Sequence, residues 1–406
     1  MFQSFKNIVI KLLVIAFLSG AYMAFGAESM EDKLKFAGDR IQFKLDFRYR
    51  HEQIDKEGYD MRTRHRFRGR IGIFADLTEE IQLGFQLASG SSDPLSTNQS
   101  LDSSFASKDV KIDLAYFDYH PEKIKGLNLI GGKMKNLFQL KSKSELIWDS
   151  DLRPEGLAFK YKTKFEPFSW FINGGGFWLE ERSANKTEDE KNDNDSGFFG
   201  VNTGIEFDLQ KIVDITFGIG YYHFIHMGAD QDQMYSLLYD NEDDFGNSSY
   251  EGYYIHDYEE LEIFTEIDFK VREIPVMIFG DFVKNFGVDQ NNWSYTENRN
   301  PENRHDEDIA WLAGFKIGKC KEKNSWEIKY NYRIVEADAV VGALTDSDFR
   351  GGGTDAKGHE IGVGWQIIKY AKLGFTFFHN EIGIDLLDGE EEINYKRYQL
   401  DLQFTI

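Results

Sequence analysis

What the chain has little of narrows it first. It has one cysteine, Cys320, among 406 residues, so no intrachain disulfide framework can form. A sparse thiol content also fits an oxidising compartment. Past residue 20 no run approaches the ~18 apolar residues that a membrane-crossing helix needs. With a mean hydropathy of -0.49, a bundle of such helices is excluded. Positive charge is in the minority, 47 Lys and Arg against 69 Asp and Glu for a formal net charge of -22. A nucleic-acid-binding role is therefore not expected, and no binding module for one is recognisable. Only 6 prolines occur, all in connections or at strand starts, where a missing backbone donor does least harm.

What is present is aromatic, glycine-rich and alternating: 35 Phe, 20 Tyr, 7 Trp and 37 Gly. The stretch 61–77, MRTRHRFRGRIGIFADL, places arginine at every second position, Arg62, Arg64, Arg66, Arg68 and Arg70. A period of two is that of a strand, with all five charges on one face and His65, Phe67, Gly69, Ile71 and Ile73 on the other. Facing lipid, each Arg would cost roughly 2 to 4 kcal/mol near the bilayer midplane. Five would match or exceed the ~5 to 15 kcal/mol that holds a typical protein folded. The ladder must face water or opposing charge, and the arrangement that satisfies every strand is a closed barrel with lipid outside and a polar lumen.

Segments of alternating character occur at 41–52, 61–77, 81–90, 109–119, 127–136, 155–163, 168–181 and 197–208, then at 213–226, 257–271, 274–287, 308–318, 325–337, 358–368, 373–384 and 393–406. These sixteen predict an all-β, transmembrane antiparallel β-barrel over residues 41–406. Short connections alternate with long or charged ones, the expected distribution of periplasmic turns and extracellular loops. Ahead of the barrel, Lys6 and Lys11 flank a short apolar stretch that ends in small residues. This pattern reads as a cleaved signal peptide, 1–26, followed by a short periplasmic tail, 27–40. Its removal takes two lysines and no acid, so the formal charge falls to -24.

The final strand places Tyr398, Leu400, Leu402, Phe404 and Ile406 on one face and Gln399, Asp401, Gln403 and Thr405 on the other. It resembles the closing strand of outer-membrane proteins, which the barrel insertion machinery reads, although the last residue is Ile rather than Phe. Lumen-facing positions follow from the alternation. The first strand contributes Lys44, Arg48 and Arg50 to a basic wall with Arg62, Arg64, Arg66, Arg68 and Arg70. The tenth contributes Glu260, Glu262, Glu266 and Asp268 to an acidic wall, eight strands away. Opposed walls would set a transverse field across an aqueous pore.

Residues 131–136, GGKMKN, lead into Trp148-Asp-Ser-Asp-Leu-Arg-Pro-Glu-Gly156. Here the sequence resembles the putative porin family of Gram-negative bacterial outer membranes, on a motif covering 131–161. The resemblance implies that the connection 137–153 folds into the lumen, with Glu145, Asp149 and Asp151 as candidate constriction acids; a rim position for this loop is the alternative. It also implies a homotrimer among outer-membrane lipid and lipopolysaccharide, passing small solutes by passive diffusion. Alternatives are a channel selective for anionic solutes such as phosphate or acidic sugars, and a plugged structural or adhesive barrel. No Ser or His register suits an enzyme's nucleophile and base. No cofactor or metal is expected, because the acidic stretches 187–197 and 240–246 lack the EF-hand order and His223 and His226 point to opposite faces.

Overall fold

The computed structural model describes residues 38, 40–181, 195–209, 212–228, 237–238, 243–250, 252–288, 307–384 and 392–406. The expected signal peptide 1–26 and nearly all of the tail 27–40 lie outside the described residues, as do most of the acidic stretch 187–197 and part of 240–246.

Sixteen strands form the barrel: β1 (Ile41–Lys56), β2 (Arg62–Asp76), β3 (Ile81–Ser89), β4 (Val110–Tyr119), β5 (Leu127–Lys133), β6 (Glu155–Phe165), β7 (Phe168–Glu180), β8 (Ser196–Leu209), β9 (Val213–Ile225), β10 (Glu259–Val271), β11 (Ile274–Asn285), β12 (Ile309–Gly318), β13 (Trp326–Val335), β14 (Ala356–Ile368), β15 (Ala371–Ile382) and β16 (Ile393–Thr405). Each pairs antiparallel with its neighbours in sequence. Closure comes from β1 against β16, Asp46 opposite Thr405 through Lys56 opposite Tyr395. A closed sheet leaves no unpaired edge, the condition for strands to cross lipid. The alternation located every strand. β1 runs four residues further than expected, and β5 stops at Lys133 because Met134 already turns inward and is buried.

Outward positions carry the apolar belt: Leu45, Phe47, Ile71, Phe85, Phe217, Trp365 and Leu400 are exposed. Inward positions are charged along β1, β2 and β16, while on the other side of the lumen apolar and aromatic residues are interleaved with buried polar ones. The apolar half is a true core, made by long connections folded inside the barrel: L3 (134–154), L7 (336–355) and, between them, the described residues of L5 (226–258), among them the buried Met227, Leu237, Leu238 and Tyr254. Phe138 and Trp148 of L3 stack with each other, Trp148 stacks on Phe198 of the inner wall, and both rings meet Tyr222 edge-on, at ring separations of 5.0 to 6.0 Å. Gly200 makes room for them, since a Cβ there would lie 2.8 Å from the Phe138 ring. L7 closes over L3 with Val340, Val341 and Leu344, all buried.

Hydrogen bonds fix these loops where apolar contact alone would let them slide. Asn247 of L5 donates to the carbonyls of Ala337 and Val340 and accepts from the Gly342 amide, at 2.7 to 2.9 Å. The Asp149 amide donates to the Leu344 carbonyl (2.9 Å). In return the Asp149 carboxylate accepts the Ser347 amide (2.9 Å). L3 and L7 are thereby one unit spanning the lumen. Truncating Trp148 leaves a large cavity in this unit, so Trp148→Ala should cost about 3 to 5 kcal/mol. The measurement is the urea midpoint at which heat-modifiable gel mobility is lost; a midpoint equal to the parent's would mean that the ring does not hold L3.

Candidate functional site: an arginine-lined channel wall

The inner face of β1, β2 and β16 gathers a dense array of charged side chains, several of them buried. Register places Arg48 directly opposite Arg68 and Arg50 opposite Arg66, while Glu52 faces Arg64 and Asp46 faces Arg70. Like charges directly opposite on a sheet repel. At about 5 Å and an effective dielectric near 20, two unit charges repel by roughly 3 kcal/mol, so counter-charge has to be supplied.

It comes from four places. On β1 itself, Asp46 accepts Arg68 Nε at 2.8 Å, and Glu52 is shared by Arg64 and Arg397, the latter at 2.6 Å. On β16, Asp401 takes both arms of the Arg50 fork at 2.7 and 2.8 Å, the bidentate geometry in which a guanidinium binds a carboxylate best. From L3, Asp151 reaches Arg70 at 2.7 Å and lies 3.9 Å from Arg68. From L7, Asp348 reaches Arg397 at 2.7 Å and Arg50 at 3.2 Å.

The loop acids divide by environment. Burial opposes the charge of Asp151, but Arg70 and then Arg68 outweigh it and hold that carboxyl well below the usual range. Asp348 behaves alike under Arg397 and Arg50. Asp149 is pushed well up by burial and by Glu145. Glu145, buried and facing Asp346, is pushed up to about 7, against the opposing pull of Lys329.

Of the expected residues, the structure gathers Arg48, Arg50, Arg64, Arg66, Arg68 and Arg70 with Asp151 into this one network. Lys44 lies apart, over the Phe74 ring at 4.8 Å, and Arg62 is exposed at the long-loop end. The tenth strand differs from expectation. Glu260, Glu262 and Glu266 are at most 2 % exposed, because the inserted loops cover them. Glu266 accepts the Ser142 amide of L3 at 2.5 Å and Glu260 the Val341 amide of L7 at 3.1 Å. Glu262 accepts the Tyr222 hydroxyl at 2.8 Å. Glu260 and Glu266 thus anchor loops, Glu262 ties β10 to Tyr222 of β9, and of the four acids only Asp268 keeps partial exposure.

Sequence reading did not pick out Arg397, Asp401, Glu52 or Asp348 as site residues, although the polar face of the last strand already showed Asp401. The burial of L7 was also missed. Its anchor is Arg333, fully buried and bound to Asp346 at 2.8 Å and Glu360 at 3.0 Å.

Two cavities meet along the ladder, sharing Leu95, Ser347 and Asp348 in their walls. The wider, about 880 Å³, opens among the long loops and reaches down to Arg66. The narrower, about 230 Å³, lies below it between Arg48, Arg50 and Arg68 and the acids of L3 and L7. Together they run off-centre, beside the apolar core.

Two solved structures of one outer-membrane protein share this architecture. The high-pH structure of OprB from Pseudomonas putida matches at a TM-score of 0.58 and 12 % identity, covering 94 % of this chain and all of that one. Its low-pH structure matches at 0.51 and 9 %, with the same coverage. The outer membrane channel DcaP of Acinetobacter baumannii aligns at 0.48 and 10 %, covering 90 % of this chain and 97 % of that one. No curated protein matches by sequence. A family model described as putative porin matches residues 55–253 and 245–383, spanning most of the barrel, and the chain belongs to that family.

Proposed function

We propose that the protein is an outer-membrane porin, a passive channel for ions and small hydrophilic solutes, with conduction along the arginine ladder rather than down the barrel axis. One observation carries this reading. The ladder faces the acids of L3 and L7 across two adjoining cavities, while the opposite half of the lumen is filled by an apolar core. A charged wall facing an acidic loop gives ions a hydrated path with fixed counter-charges, and the field across it orders dipolar solutes.

Single-channel recording of the purified protein in a planar bilayer under a salt gradient tests this directly. With Arg64, Arg66 and Arg68 all replaced by Ala, the reversal potential should move toward cation selectivity. Silent bilayers from correctly folded protein would instead favour a plugged structural barrel.

Titration of the constriction gives a second expectation. Below about pH 7 Glu145 is protonated, so the narrow cavity carries less negative charge and anions pass more readily. Above that pH it ionises, and selectivity should drift toward cations as pH rises from 5 to 8. Glu145→Gln should remove much of the drift; a wild-type reversal potential flat across that range would show that Glu145 does not titrate in the path.

The same reading treats 1–26 as a cleaved leader, 27–40 as a periplasmic tail and the working form as a homotrimer in lipid and lipopolysaccharide, inserted by the barrel assembly machinery. Sequencing the mature N-terminus and cross-linking in membranes test these points.

A further inference from the structure

Charge is not uniform along the two cavities. The narrow one presents three arginines against seven carboxyls. The wide vestibule above it presents six cations against two carboxyls, Asp93 and Asp348. Most of those six are occupied. Arg397 is held by Glu52 and Asp348, and Arg64 by Glu52. Arg350 donates to the carbonyls of Gly352 and Thr354, and Lys56 lies over the Tyr59 ring.

Two guanidinia are left over. Arg66 donates only to the Ser96 hydroxyl, at 3.1 Å, and its buried Nε has no partner. Arg62, two rungs higher on the strand, is exposed and makes no ion pair with any described residue. Neither vestibule acid hydrogen-bonds to them. Asp348 is bound to Arg397 and Arg50; Asp93 feels the charge of Arg66 but accepts the Leu95 amide at 2.9 Å and makes no direct bond to either guanidinium, and burial, outweighing the Leu95 amide and Arg66, pushes its pKa up. A buried guanidinium N–H without an acceptor costs free energy, and the acceptor it suits best is a planar or tetrahedral oxyanion. Ser96, Ser91 and Ser92 line the same wall and add hydroxyl donors. At about 880 Å³ the space fits a solute well beyond a bare ion.

We infer that the vestibule is a binding site for oxyanionic solutes, a carboxylate or phosphate group taken by Arg66 and the Ser96 hydroxyl with Arg62 at the entrance. The acid-rich constriction beneath repels such a group, so a bound solute dwells in the mouth and obstructs it. This deepens the porin reading and rests on it for the obstruction, but not for the binding.

Two arms test it on the full-length mature protein. In detergent, calorimetric titration with inorganic phosphate and, separately, with glucuronate should show saturable binding, and glucose should not. Binding by one anion alone identifies the phosphate or carboxylate source; binding by both assigns the shared oxyanion chemistry. Arg66→Gln should weaken binding at least tenfold and Arg62→Gln, at an exposed position that folding does not need, several-fold. Both variants are first checked for heat-modifiable mobility. In bilayers, the same anions added on the long-loop side should reduce chloride-carried current with a matching concentration dependence.

The two arms separate the readings. Saturable binding with a silent bilayer keeps the site and removes the porin. Conduction with no saturable binding of either anion removes the site and keeps the porin. Binding that both variants leave unchanged removes the assignment to Arg62 and Arg66.

Discussion

Guanidinium beside guanidinium is the constraint on which the interior depends. Two directly opposed arginine pairs, Arg48 with Arg68 and Arg50 with Arg66, cannot lie on one sheet face unless carboxylates reach them. The two strands contribute only Asp46 and Glu52 within hydrogen-bonding range of the ladder. The deficit explains why acids from three separate parts of the chain, Asp151, Asp348 and Asp401, converge there. Removing any one would leave largely buried guanidinia with less counter-charge than they need, the costly way to weaken an ion-pair network. The ladder is thus a condition that loop placement must satisfy.

L3 meets that condition by having two chemically different ends. Its first part carries Phe138 and its middle Trp148, which bury in the aromatic half of the lumen. Three residues beyond Trp148, Asp151 stands at the arginines. Apolar burial, at about 25 cal/mol per Å², fixes the loop's position; the ion pairs then set its orientation. L7 repeats the scheme, with Val340 and Val341 in the core and Asp348 at the ladder. The channel is off-centre because the two requirements sit on opposite walls.

How much of this could be read from the chain follows from the range of each signal. Period-two alternation is local, so all sixteen strands, the basic face of β2 and the outward apolar belt were legible. The segment around Trp148 was legible as an inserted loop only through its family resemblance. The pairing of Arg50 with Asp401 was not, since it joins positions 351 apart across the closure of the barrel and requires the register of β1 on β16. L7 offered no period either: Ala339-Val-Val-Gly-Ala-Leu344 is six small and apolar residues that suit a loop as well as a core.

The acids of the tenth strand show where face and environment part company. Alternation correctly put Glu260, Glu262 and Glu266 on the inside, but it says nothing of what lies above them. An inserted loop brings backbone amides that lack partners, and a buried N–H left unpaired costs about 1 to 3 kcal/mol. A carboxylate on the wall beneath is a strong acceptor for such an amide, and Glu266 with Ser142 and Glu260 with Val341 are that pairing. Apolar residues at these positions would have left the loop amides stranded. Carboxylates on this wall are therefore what a lumen floored by irregular backbone requires, and their burial follows from the loops' presence.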